Sequence, residues 1–471
     1  MVATSQPLGT RAGLRALERG GNAADAALAA AAVLCVTEPM STGMGGDAFA
    51  LVWRDGELSG LDAAGPAPAG ATPLEPVEER GPRSVTVPGA VAGWAELAGR
   101  HGRLGLDACL ADAVDAAERG FAVAARTAAA WNLRPEETST SWAAAAPPPE
   151  LGAPPRVGQL VRMPDLAVTL RVICDEGPAG LYGGRIGEAI CAATWLEQAD
   201  LDSYRPSWVE PLRAGYRGHE VAELPPPTQG VAAAEALALL DGMEPDLASQ
   251  VRCARLAVED AREHVRDGAD VSALLSPEWL ERRRGEGAQA VAEPAGGTVY
   301  LCAVDGDGMA VSFIQSLFGG FGSGVVAPGT GVVLQNRGAC FAIGGRVEPG
   351  RRPYHTIIPG MLLRDGRLAG PFGVMGGHIQ AQAHMQLVSA LVDDGLDPQA
   401  ALDRPRFLVD GDLVRLEEGL WHRDKELEGA GLRTVREPDG FAFGGGQCIL
   451  VDENALVGGS DPRKDGYAAG L

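Results

Sequence analysis

The chain has 471 residues, 46% apolar and 22% charged, enough for one large layered α/β domain or two to three smaller ones and too apolar for a disordered chain. Its 62 acidic against 40 basic residues give a formal charge of -22, which excludes phosphate backbones and anionic membranes as expected partners. Eight cysteines (35, 109, 174, 191, 253, 302, 340 and 448) form no C-x-x-C pair, so no zinc ribbon or dithiol redox motif is expected, only reduced and mostly buried thiols.

In chain order, Met1 to Pro7 lacks a basic start followed by an apolar stretch, so no signal peptide is expected and the protein is read as cytoplasmic. Residues 8–36 carry apolar positions at helical spacing, interrupted by Gly20-Gly21-Asn22, and predict two helices with a turn. Ala27–Val36 is too short to span a bilayer and reads as a core helix. A tight loop over Ser41–Asp47 leads to a strand at Ala48–Trp53 and a turn at Arg54-Asp55-Gly56-Glu57. Residues 90–135 predict helices anchored by Trp94 and Leu97. The proline-rich stretch Ala143–Pro155 reads as a surface loop lying over a site. Pro225-Pro226-Pro227 makes a rigid turn before a helix at Val231–Leu240. Residues 248–285 are helical and charged, with Arg282-Arg283-Arg284 expected as a solvated helix end.

From 298 onward strands dominate. Val299–Val304 and Met309–Leu317 flank Asp305-Gly306-Asp307-Gly308, a hairpin signal. A second hairpin turns at Arg364-Asp365-Gly366, a helix follows at Ala381–Asp394, and Phe441–Gly458 alternates again. Two packed sheets with helices outside, a four-layer αββα arrangement in one intertwined α/β domain, is the expected fold.

Gly296-Gly297-Thr298, at the start of a buried strand, is the most informative stretch. If the Gly297–Thr298 bond breaks, Thr298 becomes an N-terminus and supplies both a nucleophilic hydroxyl and the α-amine that activates it. The hairpin can carry the Ser316 hydroxyl beside it. Gly376-Gly377, between an apolar run and a helix, can aim amide N–H groups at an oxyanion. The Gly319–Gly324 run has no following lysine and is not read as a phosphate loop, and Ser323 and Ser460 lie in no G-x-S-x-G elbow. No HExxH pattern occurs, and His378 and His384, six apart, do not share a helical face, so no metal is expected.

These segments together resemble the gamma-glutamyltranspeptidase family of N-terminal-nucleophile hydrolases over nearly the whole chain. The carriers are Gly20–Ala26, Glu38-Pro39, Gly43-Met44-Gly45-Gly46, Val87-Pro88-Gly89, Pro225-Pro226-Pro227, Gly296–Asp305, Phe321-Gly322-Ser323-Gly324, Arg352-Pro353, Gly376-Gly377 and Ser460-Asp461-Pro462-Arg463. The resemblance implies a precursor that cuts itself at Gly297–Thr298 into a large segment, 1–297, and a small one, 298–471. It makes Thr298 the nucleophile, Ser316 the match of the family's second threonine, and Gly376 and Gly377 the oxyanion pair. It implies acyl transfer through a Thr298 ester without a cofactor, on a small-molecule amide, with the two segments as each other's partners and a dimer of such units open.

The departures concern the substrate. The family's carboxylate-gripping arginine falls at Ala64, its second-strand asparagine at Phe318, its amine-holding Gln-x-x-Asp at Arg337-Gly338-Ala339-Cys340, and its paired serines at His355 and Thr356. A site that loses an acid and gains an arginine should favour a carboxylate without a neighbouring ammonium. Arg337, His355, Thr356 and Phe318 are therefore the expected substrate-binding set, and the pattern is similar to the oxamate-amidohydrolase-like branch. A genuine gamma-glutamyl hydrolase or transferase, or an uncut, non-catalytic relative, remains the alternative.

Overall fold

The computed structural model describes residues 1–72, 78–134, 145–287, 296–344, 346–453 and 455–471. Strands on either side of residue 298 build both of its large sheets. The first runs, edge to edge, Tyr467–Ala469, Val2–Thr4, Gly297–Val304, Ala310–Phe318, Asp47–Arg54, Glu57–Ala63 and Ser207–Val209, antiparallel throughout. The second runs Leu456–Ser460, Gly445–Val451, Arg367–Met375, Gly360–Arg364, His219–Glu223 and Leu212–Tyr216.

The apolar run after Thr298 is continuous because its strand is buried on both faces. Val299, Leu301 and Ala303 enter the core beneath the outer helices. Tyr300, Cys302 and Val304 face the second sheet and meet Met361, Leu363, Met375 and Ile449. At the crossing the sheets approach closely: a Cβ on Gly373 would lie 2.4 Å from the Tyr300 ring, so glycine is required there. By this alternation Thr298 shares the inter-sheet face of Tyr300 and stands at the end of the sandwich.

Helices cover both outer faces. Ala23–Thr37 is buried all round, between the first sheet and the helices Pro7–Glu18 and Leu106–Arg119, which its alanines let approach closely. The predicted turn at Gly20-Gly21-Asn22 is a capping box: Asn22 accepts from the Ala24 and Asp25 N–H groups, and Asp25 accepts from Asn22 N. Gly230–Leu240 and Ile379–Val392 cover the second sheet, with Leu247–His264 outside them. Trp94 and Leu97 are fully buried, as expected. All eight cysteines are free; six are buried, and Cys174 and Cys191 are half-buried.

One expectation fails. Arg282-Arg283-Arg284 is not a solvated helix end. Arg283 is buried and pairs with Glu259 (2.5 Å) and Asp260 (2.8 Å) of Leu247–His264, while Arg284 donates to the Leu239 and Ala238 carbonyls. Only Arg282 lies exposed on the helix surface, its guanidinium over the Trp279 ring. The acids sit more than twenty residues upstream, and only helix packing brings them to the arginine. Of the stretch Ala143–Pro155, residues 143–144 lie outside the described set. The remainder forms a short turn at Pro149–Leu151, and Leu151 packs on Leu317, Val326 and Val333, next to Ser316.

Candidate active site

Thr298 and Ser316 meet because the ladder slips. Val299 pairs with Gln315, but Gly297 pairs with Phe318, so Ser316 and Leu317 together oppose Thr298. This bulge needs Phe318 at φ 77, a left-handed conformation that a bulky residue adopts only under strain. Ser316 Oγ becomes the hub. It donates to the Gly297 carbonyl at 2.9 Å and receives Thr298 Oγ1 at 3.2 Å, Phe318 N at 2.8 Å and Arg337 Nη2 at 3.2 Å. Both hydroxyls are buried. The arrangement polarises the carbonyl preceding Thr298 and gives the Ser316 oxygen two N–H donors, one of them cationic.

Arg337 is wholly buried, its guanidinium 4.5 Å from the centre of the Phe318 ring. Nη1 donates to Thr356 Oγ1 at 3.1 Å and lies 4.0 Å from the Cys340 thiol. Nε has no partner, and no carboxylate lies within 4.0 Å of the guanidinium among the described residues. Burial therefore pulls its pKa below the usual arginine value. Three of the expected binding residues, Arg337, Thr356 and Phe318, are thus in one contact set with Ser316.

His355 is placed differently. Its Nε2 lies 2.9 Å from Asp47 Oδ2 and its Nδ1 2.7 Å from the Pro353 carbonyl, with Phe49 against the ring. Both nitrogens are engaged within the fold, and burial pulls the imidazole pKa down against the opposing pull of Asp47. Asp47 itself escaped the sequence reading. Its Oδ1 accepts from Gly65 N (3.0 Å), Gly89 N (3.2 Å) and Gln335 Nε2 (3.0 Å), tying four segments together beside Ser316, its ladder partner. An acid heading an otherwise apolar buried strand was the available signal. Ala64 is buried beside Asp62, which is paired with Arg352.

Gly376 and Gly377 adopt φ 132 and 73, and a Cβ on Gly376 would meet Gly444 at 2.8 Å. Two buried side chains brace this turn. Gln229 Nε2 donates to the Thr356 carbonyl (2.6 Å) and Gly377 carbonyl (3.4 Å). His384 Nε2 accepts from Val374 N at 3.1 Å, its tautomer set by Nδ1 donating to Glu223 at 2.7 Å. Polar contacts and the Thr356 peptide therefore run without a break from Thr298 through Ser316, Arg337, Thr356 and Gln229 to Gly377. The Gly319–Gly324 loop is closed by Arg80, which donates to the Gly320 and Gly322 carbonyls, and by Asn336. Among the described residues no group of three His, Cys, Asp or Glu is arranged to hold a metal, and no helix is long and apolar enough to cross a membrane.

The gamma-glutamyltranspeptidase family model matches residues 9–471. The chain belongs to that family. It is an enzyme of the N-terminal-nucleophile amidohydrolase class. It is 33% identical to the oxamate amidohydrolase proenzyme of Klebsiella pneumoniae, over 100% of this chain and 98% of that one. It is 30% identical to the glutathione hydrolase-like YwrD proenzyme of Bacillus subtilis, over 100% and 98%. Among solved structures, the cephalosporin acylase from Bacillus halodurans superposes with a TM-score of 0.91 at 42% identity, covering 99% of this chain and 95% of that one. The acylase and this chain share the α/β N-terminal-nucleophile hydrolase fold over nearly their whole lengths.

Proposed function

We propose that the chain is a self-cleaving threonine amidohydrolase that acts on a small amide bearing a carboxylate next to the scissile carbonyl, oxamate being the simplest. In self-cleavage the Thr298 hydroxyl attacks the Gly297 carbonyl, which Ser316 polarises. The C–N bond breaks, the hydroxyl proton passes to the released nitrogen, and water then cleaves the ester. Residues 1–297 end in a carboxylate and residues 298–471 begin with the Thr298 α-amine. In turnover that amine takes the Thr298 hydroxyl proton as the oxygen attacks the substrate carbonyl. The amide N–H groups of Gly376 and Gly377 serve the oxyanion, the leaving nitrogen departs with the proton, and water hydrolyses the Thr298 ester.

The observation that carries the substrate class is Arg337: a buried guanidinium with no carboxylate within 4.0 Å among the described residues, Asp47 acting on it only from farther off, and one hydroxyl away from Thr298. A substrate carboxylate would supply the missing anion, whereas a glutamyl ammonium would face a cation. The named activity of the Klebsiella relative fits this choice. Hydrolysis of oxamate is to be compared with that of a gamma-glutamyl anilide. Preference for oxamate is expected; preference for the anilide would overturn the assignment.

A further inference from the structure

Among the described residues Asp47 is the carboxylate that acts most strongly on Arg337, although it stands beyond ion-pair distance. The two are close in the fold. Gln335, which donates to Asp47 Oδ1 at 3.0 Å, precedes Arg337 by two residues, and Ser316, which accepts from Arg337 Nη2, is the ladder partner of Asp47. Left ionised and alone, Asp47 would compete with a substrate carboxylate for the guanidinium charge.

Its other oxygen is taken by His355. Nδ1 of that ring lies 2.7 Å from the Pro353 carbonyl, which can only accept, so Nδ1 carries a hydrogen. Nε2 lies 2.9 Å from Asp47 Oδ2, a contact that needs a second hydrogen. A neutral imidazole has one N–H, so a neutral ring beside an ionised acid would set a lone pair against an oxygen at one of the two contacts. Both contacts are satisfied only when ring and acid together hold one further proton. Wherever between Nε2 and Oδ2 that proton sits, the pair is neutral. Burial works against a charged ring, and the hydrogen bond to Asp47 works for it. Both side chains are wholly buried, so water does not screen the acid in the proton's place.

We infer that His355 is a positioning residue that sets specificity: by holding a proton against Asp47 it neutralises that acid and leaves the Arg337 charge to the substrate's carboxylate. The inference rests on the function proposed above. Thr356, the next residue, takes Arg337 Nη1 on its hydroxyl at 3.1 Å. One loop thus supplies both the hydroxyl that orients the guanidinium and the ring that keeps its charge available.

Steady-state kinetics with oxamate on the self-cleaved protein tests this. His355→Gln keeps a donor for Asp47 but holds no proton, and its KM is expected about tenfold above the parent value with kcat within about twofold. Asp47→Asn puts a neutral amide where the neutralised acid stood, donates to Nε2, and is expected to keep the parent KM. The Asp47→Asn/His355→Gln double variant should return to the parent KM, a rescue that lost packing would not give. A parent-like KM in His355→Gln, or a double variant no better than His355→Gln, would overturn the inference. So would a raised KM in Asp47→Asn, the variant that decides if His355→Gln does not fold. Failure of a self-cut parent protein to hydrolyse oxamate would instead strike the substrate class proposed above. Calorimetry with oxalate then reads the pair without turnover: binding that weakens in His355→Gln and recovers in the double variant supports the inference, and binding that ignores these changes, or none at all, overturns it.

Discussion

Holding a guanidinium out of water among neutral partners costs several kcal/mol, and Arg337 is held in that way by the Ser316 and Thr356 hydroxyls and the Phe318 ring. Such a site is poised for a bidentate carboxylate. Arg337→Ala is expected to raise KM for oxamate about a hundredfold, near 3 kcal/mol, with a smaller effect on kcat. Arg337→Lys should not restore it, because an ammonium cannot reach Thr356, Ser316 and a carboxylate together. A KM unchanged in both variants would remove Arg337 from substrate binding. A second residue tests pH dependence. Glu38 is buried, accepts from Ser5 Oγ at 2.5 Å, and is pushed by burial up to about 7 from the usual 4.5. Its folded pKa lies above its unfolded one. Its stabilising contribution is therefore whole below about 4.5 and lost as pH rises through 7. Glu38→Gln keeps the acceptor without the charge. Thermal unfolding should show the variant more stable than the parent at pH 8, by at most on the order of 3 kcal/mol, with the gain fading towards pH 5.

Elements were legible where periodicity or turn chemistry announced them. The Asp-Gly turns at 305–308 and 365–366 join the strands expected of them, and the helix pair before residue 37 breaks at its Gly-Gly-Asn turn. Thr298, Ser316 and the glycine pair stand out in the sequence as candidates by residue type and strand-end position, and it is the family resemblance that gathers them into one site. The bulge that brings Ser316 and Leu317 opposite Thr298 could not be read there, because nothing in Gln315-Ser316-Leu317-Phe318 departs from an ordinary strand pattern. Asp47 and His355 were opaque for a related reason: their partners lie about 300 residues apart. Arg283 shows the same limit in a helix. It is clamped by Glu259 and Asp260, and beside them Glu235, pushed well above the usual glutamate range by burial, accepts from Trp279. Arg283→Ala leaves those acids without their cation and should cost about 3–5 kcal/mol in chemical denaturation. A loss below 1 kcal/mol would return the arginine to the solvated role its sequence suggested.

At the scale of the whole molecule, the Gly297–Thr298 bond lies one residue inside the strand Gly297–Val304, so its loss touches only the Gly297–Phe318 pair and leaves every other ladder pair intact. The strand Val2–Thr4 is hydrogen-bonded between Gly297–Val304 and Tyr467–Ala469, and the second sheet joins His219–Glu223 to Gly360–Arg364. A cut chain should therefore elute as one particle on native gel filtration and separate into residues 1–297 and 298–471 only in denaturant. Elution of two native particles would contradict this interlocking. Gly297 is tightly seated as well, since a Cβ there would stand 3.1 Å from the Met40 carbonyl and 3.3 Å from Ser41. The Gly297 carbonyl is thus held against Ser316 rather than left to swing.

Intact-mass spectrometry with N-terminal sequencing, followed over time from fresh protein, tests self-cleavage most directly. Two masses are expected, with the second fragment beginning Thr298-Val299-Tyr300, and Thr298→Ala should keep the single mass. An unchanged full-length mass after prolonged incubation of the parent protein, or a fragment beginning at any other residue, would contradict it.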